Sequence, residues 1–394
     1  MSATQIPEQT TETADTADTG DIVYPSAIPF LLVHLGCFAA ILTGVTWQAV
    51  TLCVTLYWLR MFAVTAGYHR YFSHRSFATG RVFQFILAFL AQSTAQKSVL
   101  WWAAKHRHHH LYSDTPRDVH SPRQTGFFYS HVGWIFARRH EATDLAKVPD
   151  LTRYPELMWL HRHEIVPAFV LGLASFLIAG WPGLVVGFFW STVLVYHATF
   201  FINSLAHVLG SRRYVTGDDS RNNLGLALLT MGEGWHNNHH ACPSSTRQGF
   251  RWWEVDASWY LLELLAALRI VRDLTPPPER VLRNEHQLGA RTLQRTAEQL
   301  AARFNAERIA LAVVASPAID LSALRKALAD AQDRAAEILA GLDLPHLPDR
   351  AELVAQARAM FARTPSLDDI VDRAHALLLA AVGGHLAAAV PARA

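Results

Sequence analysis

The chain has 394 residues, enough for a large core and more than one structural unit, and its net charge of +2 gives no electrostatic ground for a nucleic-acid partner. With 51% hydrophobic and only 17% charged residues, the apolar side chains cannot be spread evenly through a soluble protein and must be concentrated in segments. The three cysteines, Cys37, Cys53 and Cys242, match no disulfide or zinc spacing and read as packing residues in a reducing setting. Histidine is the outlier, with 21 copies in tight clusters.

Taken in chain order, residues 1–24 carry Glu8, Glu12, Asp15, Asp18 and Asp21 without a basic stretch, which argues against a secretory signal and for a disordered acidic tail. From Ile22 to Leu59 no Asp, Glu, Lys or Arg occurs, a run of 38 residues. Two membrane helices of ~20 residues each fit there. "TGVT", Thr43–Thr46, is the natural turn between spans at about 25–43 and 47–66. Val82–Gln96 is apolar but too short to cross, and is expected in the interface or against the spans. A second uncharged run, Ile165–Ser211, is broken at "GWPG", Gly180–Gly183, giving spans at about 165–180 and 183–207.

A buried helical hairpin in a soluble protein would also be apolar. Two such long runs, each broken once near the middle, favour an all-α membrane protein with four spans. Parity then puts the N-terminus, the loop 60–164 and everything after Ser211 on one side. That loop carries eleven Arg and Lys residues from Arg60 to Arg139, and the opposite turns carry no charge, which places this side in the cytoplasm with both termini. "TPPPER", Thr275–Arg280, marks the boundary between a membrane domain, 25–278, and a helical C-terminal extension, 279–394, to which no role is assigned. Leu293, Ala297, Leu300 and Phe304 predict one amphipathic helix in the extension, and Leu321, Leu324 and Leu328 begin another.

Four histidine clusters fall on the shared side. "HRYFSH" supplies His69 and His74, and "HRHHH" supplies His106, His109 and His110. "NSLAH" supplies Asn203 and His207, and "HNNHH" supplies His236, His239 and His240. In H-x-x-H-H the histidines fall on one helix face, so two such helices could direct six imidazoles at one space. Asn203 and His207 are spaced i, i+4. His69 and His74, at i, i+5, are too far apart around a straight α-helix, so one of them is expected beyond a helix end. Nine histidines exceed the capacity of one ion but suit two, and iron is the redox-capable choice among metals that imidazole binds. A transport site would lie near the midplane, a bis-histidine haem would leave seven histidines unexplained, and a soluble di-iron bundle would need two Glu-x-x-His motifs, where only Glu233–His236 has that spacing. Asp114, Asp118, Asp218, Asp219 and Glu233 are near enough in sequence to orient the rings, without assignable partners.

"HRYFSH", "HRHHH" and "GEGWHNNHH", with "NSLAH" before the last and "GFFYSHVGW" between, resemble the membrane-bound fatty acyl desaturases of the stearoyl-CoA type from Ile28 to about Pro276. The resemblance implies that the nine histidines bind two irons, with Asn203 approaching one through water; how the nine divide stays open. It implies a cytoplasmic helical cap over the spans and O2-dependent conversion of a long acyl chain, near C9, to a cis alkene. It further implies that Gln96, Trp102, Thr199 and Phe200 lie along the acyl path. The same resemblance places Arg138 and Arg139 at the phosphates of CoA. Lys97, Ala104 and Lys105 depart from the animal pattern at the nucleotide end, so acyl carrier protein and phospholipid remain alternatives to acyl-CoA.

Without a cytochrome domain, a cysteine cluster or a dinucleotide motif, electrons must come from a separate ferredoxin, rubredoxin or flavoprotein reductase. The competing functions are a histidine-box hydroxylase or ketolase, which inserts oxygen, and a non-catalytic metal-binding membrane protein.

Overall fold

The computed structural model describes residues 24–316, 319–330, 335–341, 344, 346–361 and 364–389, so the expected acidic tail lies almost wholly outside the described residues. The protein is mostly helical; one short antiparallel pair, Ala78–Thr79 with Val271–Arg272, is the only strand pairing of more than one residue among the described residues. It divides into two compact units: Met1–Gly210 with Asn223–His239 and Pro243–Pro276, and Ser211–Asn222 with His240–Cys242 and Pro277–Ala394.

In the first unit, three apolar elements form where the charge-free runs require them. The first is broken, a helix over Tyr24–Cys37 followed by a turn and Ala40–Thr43. Gly44, at φ 75°, makes the reversal that "TGVT" predicts. Thr46 then caps the next helix by accepting the Ala49 amide at 3.2 Å. That helix runs unbroken over Trp47–Ser73 rather than stopping near residue 66, because its last eleven residues continue in π register. The third element, Val166–His207, contains both remaining expected spans in one helical stretch of 42 residues. Non-helical Ala179 and Gly180 interrupt it at "GWPG". A Cβ on Gly172 would lie 3.5 Å from Phe188, so the halves fold back on each other.

By length and apolarity three helices among the described residues could cross a membrane: Trp47–Ser73, Val166–His207 and Leu367–Ala388. The first two belong to the expected spans, and Leu367–Ala388 lies in the extension, where none was expected. Side chains that a soluble fold would bury face outward in the first unit: Leu42 is 89% exposed and Ile41 82%. Such an outward-facing apolar belt on helices long enough to cross a bilayer is what a membrane-embedded fold presents to lipid. Helix Arg81–Gln92, the short apolar segment, packs Leu87, Ala88 and Ala91 into the same core as Met61, Val64 and Tyr68 of the long helix.

In the second unit, helix Ala290–Ala301 buries Ala297 and Leu300 against Val215, Leu353, Phe361 and Ile370. Leu293 and Phe304 pack at its edge, as the i, i+4, i+7, i+11 pattern predicts. A second cluster joins Ile309, Val313, Leu324, Leu378 and Leu386. Helix Leu367–Ala389 runs through both clusters, so its apolar stripe is taken up within the extension.

Candidate metal centre

Each histidine cluster is placed by a different local device. His69 lies in the π segment Ala63–Ser73, and His74 follows at its end. The His74 amide donates to the His69 carbonyl at 3.1 Å, the i→i+5 bond of that register. This bond brings residues five apart to the same side, and the two rings stand 4.8 Å apart. The expected helix end is present, but the π turn is what unites the pair.

Helix Val99–Tyr112, capped by Ser98, carries His106, His109 and His110, and helix His236–Ala241 carries the last three. His207 departs from the expected i, i+4 helix with Asn203. The helix ends at Asn203, and His207 closes a 3-10 turn, Leu205–His207.

Five imidazoles converge. His106 Nε2 is 2.8 Å from His74 Nε2 and 3.0 Å from His110 Nε2. His239 Nε2 is 3.0 Å from both His110 and His69. His109, His207 and His236 form a second set, each offering a nitrogen within 4.8 Å of the others. His207 Nε2 and His236 Nε2 lie 3.1 Å apart. The boxes therefore do not act as blocks. At about 100° per residue, the i+3 and i+4 positions of a helix fall roughly 60° and roughly 40° to opposite sides of position i. Such a divergence lets one helix serve two centres: His106 and His110 face one, His109 the other. His239 and His236 divide likewise.

The partners of the outer nitrogens fix the tautomers. His109 Nδ1 donates to Asp118 at 2.8 Å, His207 Nδ1 to Asp114 at 2.9 Å and His240 Nδ1 to Asp218 at 2.8 Å. His69 Nδ1 donates to Glu233. An ionised carboxylate only accepts, so each Nδ1 holds the proton and each Nε2 presents a lone pair inward. Burial pushes Asp118 and Glu233 up, but the adjoining His109, and His69 with Arg70, outweigh it and leave both carboxyls below their ordinary range. Asp219 instead faces Arg212, at 3.6 Å.

Two ring nitrogens 3 Å apart need a proton or a cation between them, and five such imidazoles meet in one place. Metal–nitrogen bonds of about 2.1 Å at right angles would place neighbouring nitrogens about 3.0 Å apart. The donor set therefore fits metal ions. Asp114→Asn is expected to weaken metal affinity by about 10- to 100-fold, measured by titrating metal into stripped protein.

The centre adjoins an apolar cavity of about 720 Å³. Gln96, Trp102, Thr199 and Phe200 line it, with His106 and Asn203. A smaller chamber of about 30 Å³ touches His69, His106, His109, His236 and Asn203, and shares Trp102 and Thr199 with the cavity. Trp102 stacks on His106, 4.8 Å between centroids. Arg138 and Arg139 are not among the lining residues; Arg139 donates to the Tyr129 hydroxyl at 2.8 Å. Lys97 and Lys105 do line the cavity, and burial together with Lys147 pulls Lys105 down to about 8.

His108 stands apart from both sets, 2.8 Å from the Arg117 carbonyl. His120, which has no ligand spacing, stacks on His109 at 4.3 Å, and burial holds it well below the ordinary histidine range. His34, His197 and His131 form one hydrogen-bonded chain, with nitrogens 3.1 and 3.0 Å apart, ending on Ser204. Nothing in their spacing signals it, since they come from three separate elements.

A family model for fatty acid desaturases matches residues 45–276. The chain belongs to the fatty acid desaturase family. It is 38% identical over 248 residues to an sn-1 stearoyl-lipid 9-desaturase from Anabaena variabilis, covering 62% of this chain and 91% of that one. It is 36% identical over 251 residues to an acyl-CoA 5-desaturase from Anemone leveillei, covering 63% and 78%. An sn-1 stearoyl-lipid 9-desaturase from Synechocystis is 36% identical over 259 residues, covering 65% and 81%. This desaturase is thus a metal-dependent membrane oxidoreductase acting on fatty acyl chains. The match ends at residue 276, before the extension.

Proposed function

We propose that the desaturase uses two irons and O2 to introduce a cis double bond, near C9, into a long saturated acyl chain carried as a thioester, with CoA as the first candidate carrier. The observation that carries this reading is the meeting of five imidazoles, one of which, His106, lines an apolar cavity. His69, His74, His106, His110 and His239 would hold one iron. His109, His207 and His236 would hold the other, with His240, one turn beyond His236 on the same helix, as the fourth ligand and Asn203 adjacent through water. Neutral imidazoles suit iron and add no negative charge.

When bound, the irons supply reductive activation of O2. The protein's own residues do the rest. The cavity walls would desolvate the chain, Trp102 and Thr199 would line its way to the chamber, and the carboxylates would keep Nδ1 of His69, His109, His207 and His240 protonated. Acyl chain, O2, two electrons and two protons give alkene and two waters. The electrons come from a separate ferredoxin, rubredoxin or flavoprotein reductase. Lys97 and Lys105 would meet an anionic head group, rather than Arg138 and Arg139 alone. Four spans, at 25–43, 47–66, 165–180 and 183–207 in the membrane domain 25–278, would leave the metal centre, its cytoplasmic cap and both termini in the cytoplasm. The relatives that act on stearoyl-lipid favour one further reading, a glycerolipid as the acyl carrier.

Purified enzyme with a reductase system would be offered stearoyl-CoA, stearoyl carrier protein or distearoyl lipid, and the products located by mass spectrometry. A cis alkene from the thioester supports the proposal. Product from the lipid alone moves the carrier, and a hydroxylated or oxo product replaces desaturation by oxygen insertion.

A further inference from the structure

The extension shares its compact unit with two segments from far earlier in the chain, Ser211–Asn222 and His240–Cys242. The first of these holds Asp218, whose Oδ2 accepts the His240 Nδ1 proton at 2.8 Å. Its other oxygen is engaged by Thr216 Oγ1 at 2.7 Å and by Ser220 through its amide at 3.1 Å and hydroxyl at 2.6 Å. A loop held only by its own hydrogen bonds would be free to shift as a body. This one is fastened to the extension at three points.

Val215 is buried in the same cluster as Ala297, Leu300 and Phe361. The Gly217 carbonyl accepts from Gln299 Nε2 at 3.3 Å. Gly217 itself, at φ 76°, lies so close to helix Ala290–Ala301 that a Cβ would sit 3.4 Å from the Thr292 backbone. Arg212 completes the set, donating to the Asp218 carbonyl at 2.6 Å while its guanidinium stands 5.9 Å from the Phe361 ring. Thr216 and Asp218, bonded to each other, flank Gly217, so the glycine that lies against the helix sits between them.

We propose that the C-terminal extension is a buttress that fixes Asp218 and, through it, the ring of His240, with Leu300, Gln299 and Arg212 as positioning residues. The inference rests on His240 being a metal ligand, and it assigns a task to a region that the family match leaves uncovered. The physical reason is the usual one for metal sites: a ligand holds its ion well only when its outer hydrogen bond is itself rigid.

The test compares full-length variants by metal content and by the rate at which a chelator strips the bound iron. Leu300→Ala, which opens a void beside Val215, is expected to speed release of one of the two irons by about tenfold and leave the other unchanged. Leu300→Met, close in volume, should restore the slow rate. Leu378→Ala makes a comparable void in the extension's other cluster and should leave both rates as in the parent. Gln299→Ala, half-buried and harmless to packing, should speed the same iron by a smaller factor. Unchanged release in both Leu300→Ala and Gln299→Ala would overturn the buttress, as would equal acceleration by Leu300→Ala and Leu378→Ala. His240→Ala separates the two claims: if it keeps both irons with parental rates, the ligand assignment fails; if it loses one while Leu300→Ala does not, only the buttress fails.

Discussion

Replacing His239 by alanine is expected to reduce desaturation to background and to cost the enzyme about one iron per chain, by removing a ligand that bridges two elements of its set. His239 Nε2 stands 3.0 Å from both His69 and His110, so it links the π segment to helix Val99–Tyr112. The four remaining imidazoles cannot close the gap, because the π segment and helix Val99–Tyr112 that bear them are fixed in one packed core. Stability should change little, since the neighbouring Asn238 anchors the same helix through the Gln248 carbonyl at 2.9 Å and Glu254 at 2.8 Å. Elemental analysis and a melting curve on the same preparation separate loss of metal from loss of fold. Full iron content with no activity would mean that His239 does not bind metal.

Thr199→Phe is expected to lower activity on a long acyl chain by about 100-fold while both irons stay bound. Thr199 is buried where the large cavity meets the small chamber, its hydroxyl donating to the Val195 carbonyl at 2.8 Å and accepting from Gln96 at 3.4 Å. A phenyl ring there must either enter the passage or displace Gln96. Overpacking of this kind costs about 1–3 kcal/mol of stability, which a melting curve would register without loss of the fold. Thr199→Ser keeps the hydroxyl and should retain near-parental turnover. Parental turnover by Thr199→Phe would place the acyl path elsewhere.

Much of this molecule was legible before any coordinates. Charge-free runs and the Gly-rich turns within them located the apolar helices, because a helix crossing lipid tolerates no unpaired charge and a reversal needs a residue free to take positive φ. Histidine spacing marked out the imidazoles that converge, because i, i+3 and i+4 share a helix face. Ala297 and Leu300 were marked as core by the same periodicity.

What only the tertiary structure decided lies where the partners are distant in sequence. No spacing relates His207 to Asp114 or His240 to Asp218, and the pairing of carboxylates with rings was unreadable for that reason. The division of the second and third histidine boxes between two sets depends on how their two helices are rotated about their axes, which packing sets and periodicity does not. The π turn that unites His69 with His74 is a choice of hydrogen-bond register, one residue longer than the α-helix that the same residues could form. The link from the extension to Asp218 is the extreme case, since it joins residue 299 to residue 217. Sequence determined which residues could bind metal and which segments could meet lipid, because both follow from local chemistry and periodicity. Folding decided which nitrogens share an ion and what holds them still, because those are relations between surfaces that the chain brings together only once it is packed.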